Sequence, residues 1–259
     1  MISKPSLFVG ARPLIVRVLP VGGLLRDVVA IVAATILLAA CAQIAIPLPF
    51  TPVPITGQTF AVLLIGATLG STRGAAAIIL YLLEGAAGLP FFAPTGGMFT
   101  YGYLAGFVPA AFVAGWLCER GWDRDFRLSL VALLIANAVI YAVGLPWLAS
   151  AYALLWSGFD VSTSTPQFWQ DVFASGQLGF LRGDAAATAV TTGLLPFIPG
   201  DLLKAILAAA ILPGASTLVA NWRSEDHLTQ FLGGRGGEAR SDRGNKRPPA
   251  PHELGRRAQ

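Results

Sequence analysis

Charge is scarce in this sequence. Only 12% of its 259 residues are Asp, Glu, Lys or Arg, while 54% are hydrophobic. Soluble domains carry about 25% charged residues. A chain this poor in charge cannot clothe a water-facing surface, so most of its surface is expected to face lipid. Histidine is confined to His227 and His252 near the end, and the stretch from Leu24 to Ala220 has none. That excludes His-based acid–base chemistry and most metal sites from the apolar body. The H-E-x-x-H, G-x-S-x-G and G-x-x-x-x-G-K-[ST] patterns are all missing, so the chain has neither hydrolase motif and does not hydrolyse ATP by P-loop machinery. The two cysteines, Cys41 and Cys118, sit inside apolar runs, where free cysteine behaves as a small hydrophobe. A disulfide scaffold is excluded.

What the chain has in quantity is apolar runs. A membrane-spanning helix needs about 20 such residues. Val28–Ile46, Gly74–Phe92 (interrupted by Glu84), Tyr101–Cys118, Leu128–Trp156 and Asp201–Ala220 qualify. Ile55–Gly70 qualifies if its Pro-rich start dips into protein. Pro146 is expected to kink or end the long fifth run, and Ala185–Leu195 is apolar but short. The expected fold is therefore an all-α integral membrane bundle of six transmembrane helices. Arg26, Arg73, Arg120, Arg124, Arg127 and the basic tail then fall on one side, against Arg182 alone on the other. An excess of Lys and Arg marks the cytoplasmic side, so both termini are expected inside. The early apolar stretches are broken by Pro5, Pro13 and Pro20 and do not make a signal peptide. The expected organisation is a cytoplasmic segment 1–25, a membrane domain 26–220 with an external loop at 158–184, and a disordered basic tail 221–259. The inside bias and the tail account for the pI near 9.4 without nucleic-acid binding. Membrane lipid is the expected surroundings.

Ionisable groups at membrane depth are costly and point to function. Asp201 and Lys204, three apart, share one helix face just after the break Pro196-Phe197-Ile198-Pro199-Gly200. They serve either as a helix cap with a snorkelling Lys or as a donor–acceptor pair facing a cavity. Glu84 sits in the turn Tyr81-Leu82-Leu83-Glu84-Gly85, near the outer end of the third span. The segment Pro47–Thr59 carries four prolines between Pro47 and Pro54, which enforce extended backbone. It is expected to be a stiff lid whose Thr56 and Gln58 hydrogen-bond a neutral polar ligand. A second outer loop holds Pro94-Thr95-Gly96-Gly97 and Thr100-Tyr101-Gly102-Tyr103, where glycine lets backbone approach a ligand.

Three segments together resemble the BioY family, the biotin-specific S-components of energy-coupling factor transporters. They are Val53-Pro54-Ile55-Thr56-Gly57-Gln58-Thr59, Tyr81-Leu82-Leu83-Glu84-Gly85-Ala86-Ala87-Gly88-Leu89-Pro90 and Leu195-Pro196-Phe197-Ile198-Pro199-Gly200-Asp201-Leu202-Leu203-Lys204. The resemblance runs from about Ala33 to Ala210. It implies a six-helix S-component bundle in the bacterial plasma membrane, binding biotin near the outer surface under the loop between helices one and two. It implies docking to a transmembrane T-component driven by two ATPase subunits. Ala30 and Ala34, at small-x-x-x-small spacing, are the candidate partner face. The family's pocket Asp and Lys match Asp201 and Lys204. The candidate ligand-binding set is Asp201, Lys204, Thr56, Gln58, Tyr81, Glu84, Thr95, Gly96, Gly97 and Tyr103. No cofactor is expected: biotin is cargo and ATP belongs to the partner subunits. Two departures stand out. The family's G-P-T-G-G-Y stretch is divided between Pro94–Gly97 and Thr100–Tyr103, and 158–184 is longer than usual. The alternatives are an S-component for another vitamin, an intramembrane enzyme using Glu84 or Asp201 on a small lipid or acyl substrate, and a membrane scaffold.

Overall fold

The computed structural model describes residues 13–14, 23–156 and 184–218. By its internal contacts the chain divides into a body, residues 1–217, and a tail, residues 218–259. Of the expected segment 1–25 only residues 13–14 and 23–25 are described, and the expectations for 158–183 and for the tail from 219 lie outside the described residues.

Among the described residues seven helices and one hairpin follow in order. They are α1 Gly23–Gln43, β1 Ala45–Leu48, β2 Thr51–Thr56, α2 Gln58–Leu69, α3 Ser71–Ala86, α4 Tyr101–Cys118, α5 Phe126–Trp156, α6 Ala185–Gly193 and α7 Ile198–Leu218. Four are long and apolar enough to cross a membrane: α1, α4 with its preceding 3-10 turn from Gly97, α5 and α7. Helices α2 and α3 have 12 and 16 residues. At 1.5 Å per residue they reach roughly 18 and 24 Å, short of a hydrocarbon core of about 30 Å.

The all-α expectation needs correction. The Pro-rich segment folds as an antiparallel hairpin pairing Ala45 with Thr56, Ile46 with Ile55 and Leu48 with Thr51, and its register shifts between Ile46 and Leu48. Proline holds the backbone extended and donates no N–H. The remaining backbone groups pair across the hairpin, since unsatisfied ones are expensive away from water. Thr51, Pro52, Val53 and Pro54 are buried, so this lead-in to α2 does enter the protein.

The third apolar run also ends earlier than its composition suggests. Gly88 adopts φ +95°, its N–H bonds the carbonyl of Gly85, and the N–H of Leu89 bonds that of Glu84. That pair of bonds around a left-handed glycine is a Schellman stop. It frees residues 87–96 to run as a strap over the end of the bundle. Pro146, by contrast, neither ends nor replaces α5, which continues to Trp156. Its neighbours hold it: Tyr103 packs where a side chain on Gly144 would project, and Trp147 does the same over Gly102.

The core is assembled by close approach of small residues. A Cβ on Gly66 of α2 would lie 2.4 Å from the carbonyl oxygen of Ala111 on α4, so this crossing admits only glycine. Ala30 and Ala34, expected to face a partner, are instead 7% and 5% exposed and belong to the chain's own core. Small residues serve an internal helix contact as well as an external one. The open face of α1 is made by Val28, Val29, Val32, Ile36 and Leu37.

Charge collects at one end. Asp27 bridges Arg26 and Arg73 at 3.0 and 2.9 Å, tying the starts of α1 and α3. Glu119, just after α4, accepts from the N–H and hydroxyl of Ser71 at 2.9 and 3.0 Å, capping α3 from a neighbouring helix. The hairpin, the strap and the start of α7 lie at the other end.

Candidate functional site

At that second end the hairpin, the strap, α4, α5 and α7 surround a cleft, the concave form that small-molecule sites take. Aromatic side chains form part of its wall, with Phe92, Tyr101, Tyr103, Phe107, Tyr141 and Phe197 contributing. Tyr103 and Tyr141 meet edge to face, with centroids 6.1 Å apart, an arrangement favoured by ring quadrupoles.

The polar groups concentrate at Asp201, which is 4% exposed. A buried carboxylate has to be fully partnered, and this one is. Its Oδ1 accepts from Lys204 Nζ at 3.0 Å and from Thr59 Oγ1 at 3.2 Å. Its Oδ2 accepts from Asn137 Nδ2 at 3.3 Å and from the hydroxyl of Tyr141. Lys204 Nζ also donates to Thr59 Oγ1 at 2.9 Å, so Thr59 relays between the two charges. An ammonium carries three protons; two are engaged here. The cap alternative for Asp201 is not what the geometry displays. The helix starts three residues earlier, at Ile198, and no backbone N–H is among the partners found for the carboxylate. Lys204 turns inward to the cavity.

Of the residues singled out from the sequence, Thr56, Gln58, Gly97, Tyr103, Asp201 and Lys204 line the cavity. Tyr81, Glu84, Thr95 and Gly96 are not part of its lining. Tyr81 is fully buried and receives a hydrogen bond from Gln58 Nε2 at 2.9 Å. Glu84 and Thr95 are half-buried, each with one enclosed oxygen lacking a hydrogen-bond partner. Gly96, at φ +104°, turns the strap toward α4. Tyr103 spends its proton on the carbonyl of Gly193 at 3.0 Å, so it offers the cavity its ring.

Three site residues escaped the sequence reading as individuals. Thr59 was visible only as the end of the Pro-rich segment. Asn137 and Tyr141 stand four apart in the longest apolar run, hence on one helix face, and a polar pair at that spacing in such a run is the signal that could have found them.

The strap and the 3-10 turn that follows it are fastened by side chains from three helices. Gln43 Nε2 donates to the carbonyls of Pro90 and Phe92 at 3.1 and 3.3 Å. Tyr81 donates to that of Phe91 at 2.9 Å. Trp147 Nε1 donates to that of Met98 at 2.7 Å. Among the described residues no group of His, Cys, Asp and Glu could hold a metal ion.

The chain is similar to known proteins. The chain is 33% identical over 179 residues to the biotin transporter BioY of Rhizobium etli, covering 64% of this chain and 79% of that protein. It is 36% identical to the biotin transporter BioY of Rhodobacter capsulatus, covering 64% and 80%. For the biotin transporter BioY of Thermotoga maritima the figures are 33%, 64% and 82%. A solved S-component for biotin from an ECF-type ABC transporter superposes with a TM-score of 0.55 at 22% identity, over 74% of this chain and 92% of that one, which establishes a shared fold. The BioY family model matches residues 12–221. With its fold, its several apolar helices and this match over most of its length, the chain belongs to the BioY family.

Proposed function

We propose that this chain is the biotin-capturing membrane subunit of a vitamin uptake system. The observation that carries the reading is the buried Asp201–Lys204 pair set in the wall of a partly aromatic cavity beneath a hairpin and a fastened strap. Biotin's ureido ring presents one carbonyl and two N–H groups, and its fused sulfur ring is apolar. The unengaged N–H of Lys204 suits the carbonyl, and the aromatic part of the wall suits the rings. The relatives are biotin transporters, which supports the same cargo. They are transporters rather than enzymes, which disfavours the enzyme alternative.

The membrane arrangement follows from the same reading. Helices α1, α2, α3, α4, α5 and α7 make six crossings, the second and third completed by the buried hairpin and the strap. The Arg26–Asp27–Arg73 end faces the cytoplasm, as Lys and Arg bias requires. That puts both termini inside, the cavity at the outer face, and the protein in the bacterial plasma membrane. A transmembrane T-component and two ATPase subunits are the proposed partners, and they, not this chain, consume ATP.

The test is equilibrium binding of labelled biotin to the purified chain in detergent, with riboflavin and thiamine as competitors. Saturable binding displaced by biotin alone is expected. Displacement by either other vitamin, or absence of binding by folded protein, overturns the assignment.

A further inference from the structure

The strap and the cavity share one hydrogen-bonded chain, and its proton directions can be worked out. The Phe91 carbonyl is an acceptor only. It lies 2.9 Å from the Tyr81 hydroxyl, so the single phenolic proton goes there. Tyr81 must then accept from its other neighbour, the Gln58 amide 2.9 Å away. Gln58 therefore has to offer Tyr81 its NH2, which leaves the carbonyl Oε1 as the atom it turns to the cavity. The orientation of a glutamine amide is thus imposed by a backbone carbonyl two bonds upstream.

This polarity matters because the carboxylate is taken: both oxygens of Asp201 already accept two hydrogen bonds each. A carboxylate has about four such positions. Lys204 supplies a donor and Gln58 supplies an acceptor, and Thr59, next to Gln58, touches Lys204. Both complementary groups line the same cavity.

We infer that Tyr81 is a positioning residue that aims the carbonyl of Gln58 at an N–H group of the ligand and ties that aim to the seating of the strap at Phe91. The inference rests on the biotin reading, in which the ureido N–H is the group received. Tyr81 never meets the ligand. It sets which end of the amide the ligand meets, and so selects for a cyclic urea and against a ligand bearing an acceptor at that point.

Three variants test this by biotin binding and thermal unfolding in detergent. Tyr81→Phe keeps the ring contacts to Phe91 and Phe92 (centroids 6.4 and 5.6 Å) and should weaken binding roughly tenfold, the scale of one misdirected buried hydrogen bond. Gln58→Met should weaken it at least as much. The double variant should be no worse than Gln58→Met alone, because Tyr81 acts through Gln58. Gln58→Glu should bind within about tenfold of the parent, since either protonation state keeps an oxygen toward the ligand. Additive losses in the double variant, parental binding by Tyr81→Phe, or a loss beyond about a hundredfold in a folded Gln58→Glu would each overturn the inference while leaving the biotin reading intact. If the parent chain itself does not bind labelled biotin, that reading fails and this one falls with it.

Discussion

Replacing Asp201 by Asn is the sharpest test of the site, because it changes one charge and almost no volume. Four donors converge on the carboxylate, two on each oxygen. An asparagine can accept on one side only. Whichever way its amide turns, two donors are left facing an NH2 group, and Lys204, whose side chain is 18% exposed, loses its counter-ion. Removing one member of a buried ion pair costs about 3–5 kcal/mol. At about 1.4 kcal/mol per tenfold, the cost of about 3–5 kcal/mol corresponds to roughly two to three and a half orders of magnitude if it falls on binding. We expect Asp201→Asn to remain folded, to melt at lower temperature and to bind labelled biotin at least a hundredfold more weakly. Asp201→Asn combined with Lys204→Met removes the stranded cation, so it should recover much of the lost melting temperature without recovering binding. Native affinity in the single variant, or restored affinity in the double one, would refute the assignment of this pair to ligand capture.

Other variants probe the surroundings. Tyr141→Phe removes one donor to Asp201 and keeps the ring. A hydrogen bond to a charged group contributes about 1.5–3 kcal/mol, so a loss of roughly tenfold or more in biotin affinity is expected in the same binding assay. Gly66→Ala forces a methyl against the Ala111 carbonyl, and should cost about 1–3 kcal/mol of stability, read as a lower unfolding temperature with no specific effect on ligand choice. Gln43→Ala unfastens the strap from Pro90 and Phe92. At about 0.5–1.5 kcal/mol per bond, biotin should dissociate several-fold faster in a chase experiment, with the melting temperature nearly unchanged.

The sequence disclosed some of this and hid the rest for definite reasons. Asp201 and Lys204 were legible because a charge in an apolar run is expensive and therefore conspicuous. Asn137 and Tyr141 were not, since uncharged polar side chains barely alter the apolar character of a 31-residue helix. The four prolines correctly announced extended backbone, but nothing local says that two extended pieces will pair; only burial away from water makes pairing necessary. Gly88-Leu89-Pro90 held the stop of α3 in plain view, and the apolar Phe91 and Phe92 beyond it obscured that stop. Ala30 and Ala34 had the right spacing for a helix contact, and spacing alone could not tell an internal neighbour from a separate protein. Tyr81 lay in a conspicuous segment, yet its place behind Gln58 depends on residues 23 positions apart.

The Asp201 carboxylate is shared among helices that leave the ribosome at different times. Thr59 belongs to α2, Asn137 and Tyr141 to α5, and the carboxylate itself arrives only with α7. Until α7 inserts, three polar groups wait without their common acceptor. Truncation ahead of Ile198 would leave them so permanently. The polar network of the pocket can therefore close only once α7 is in place, which ties the integrity of the site to that helix.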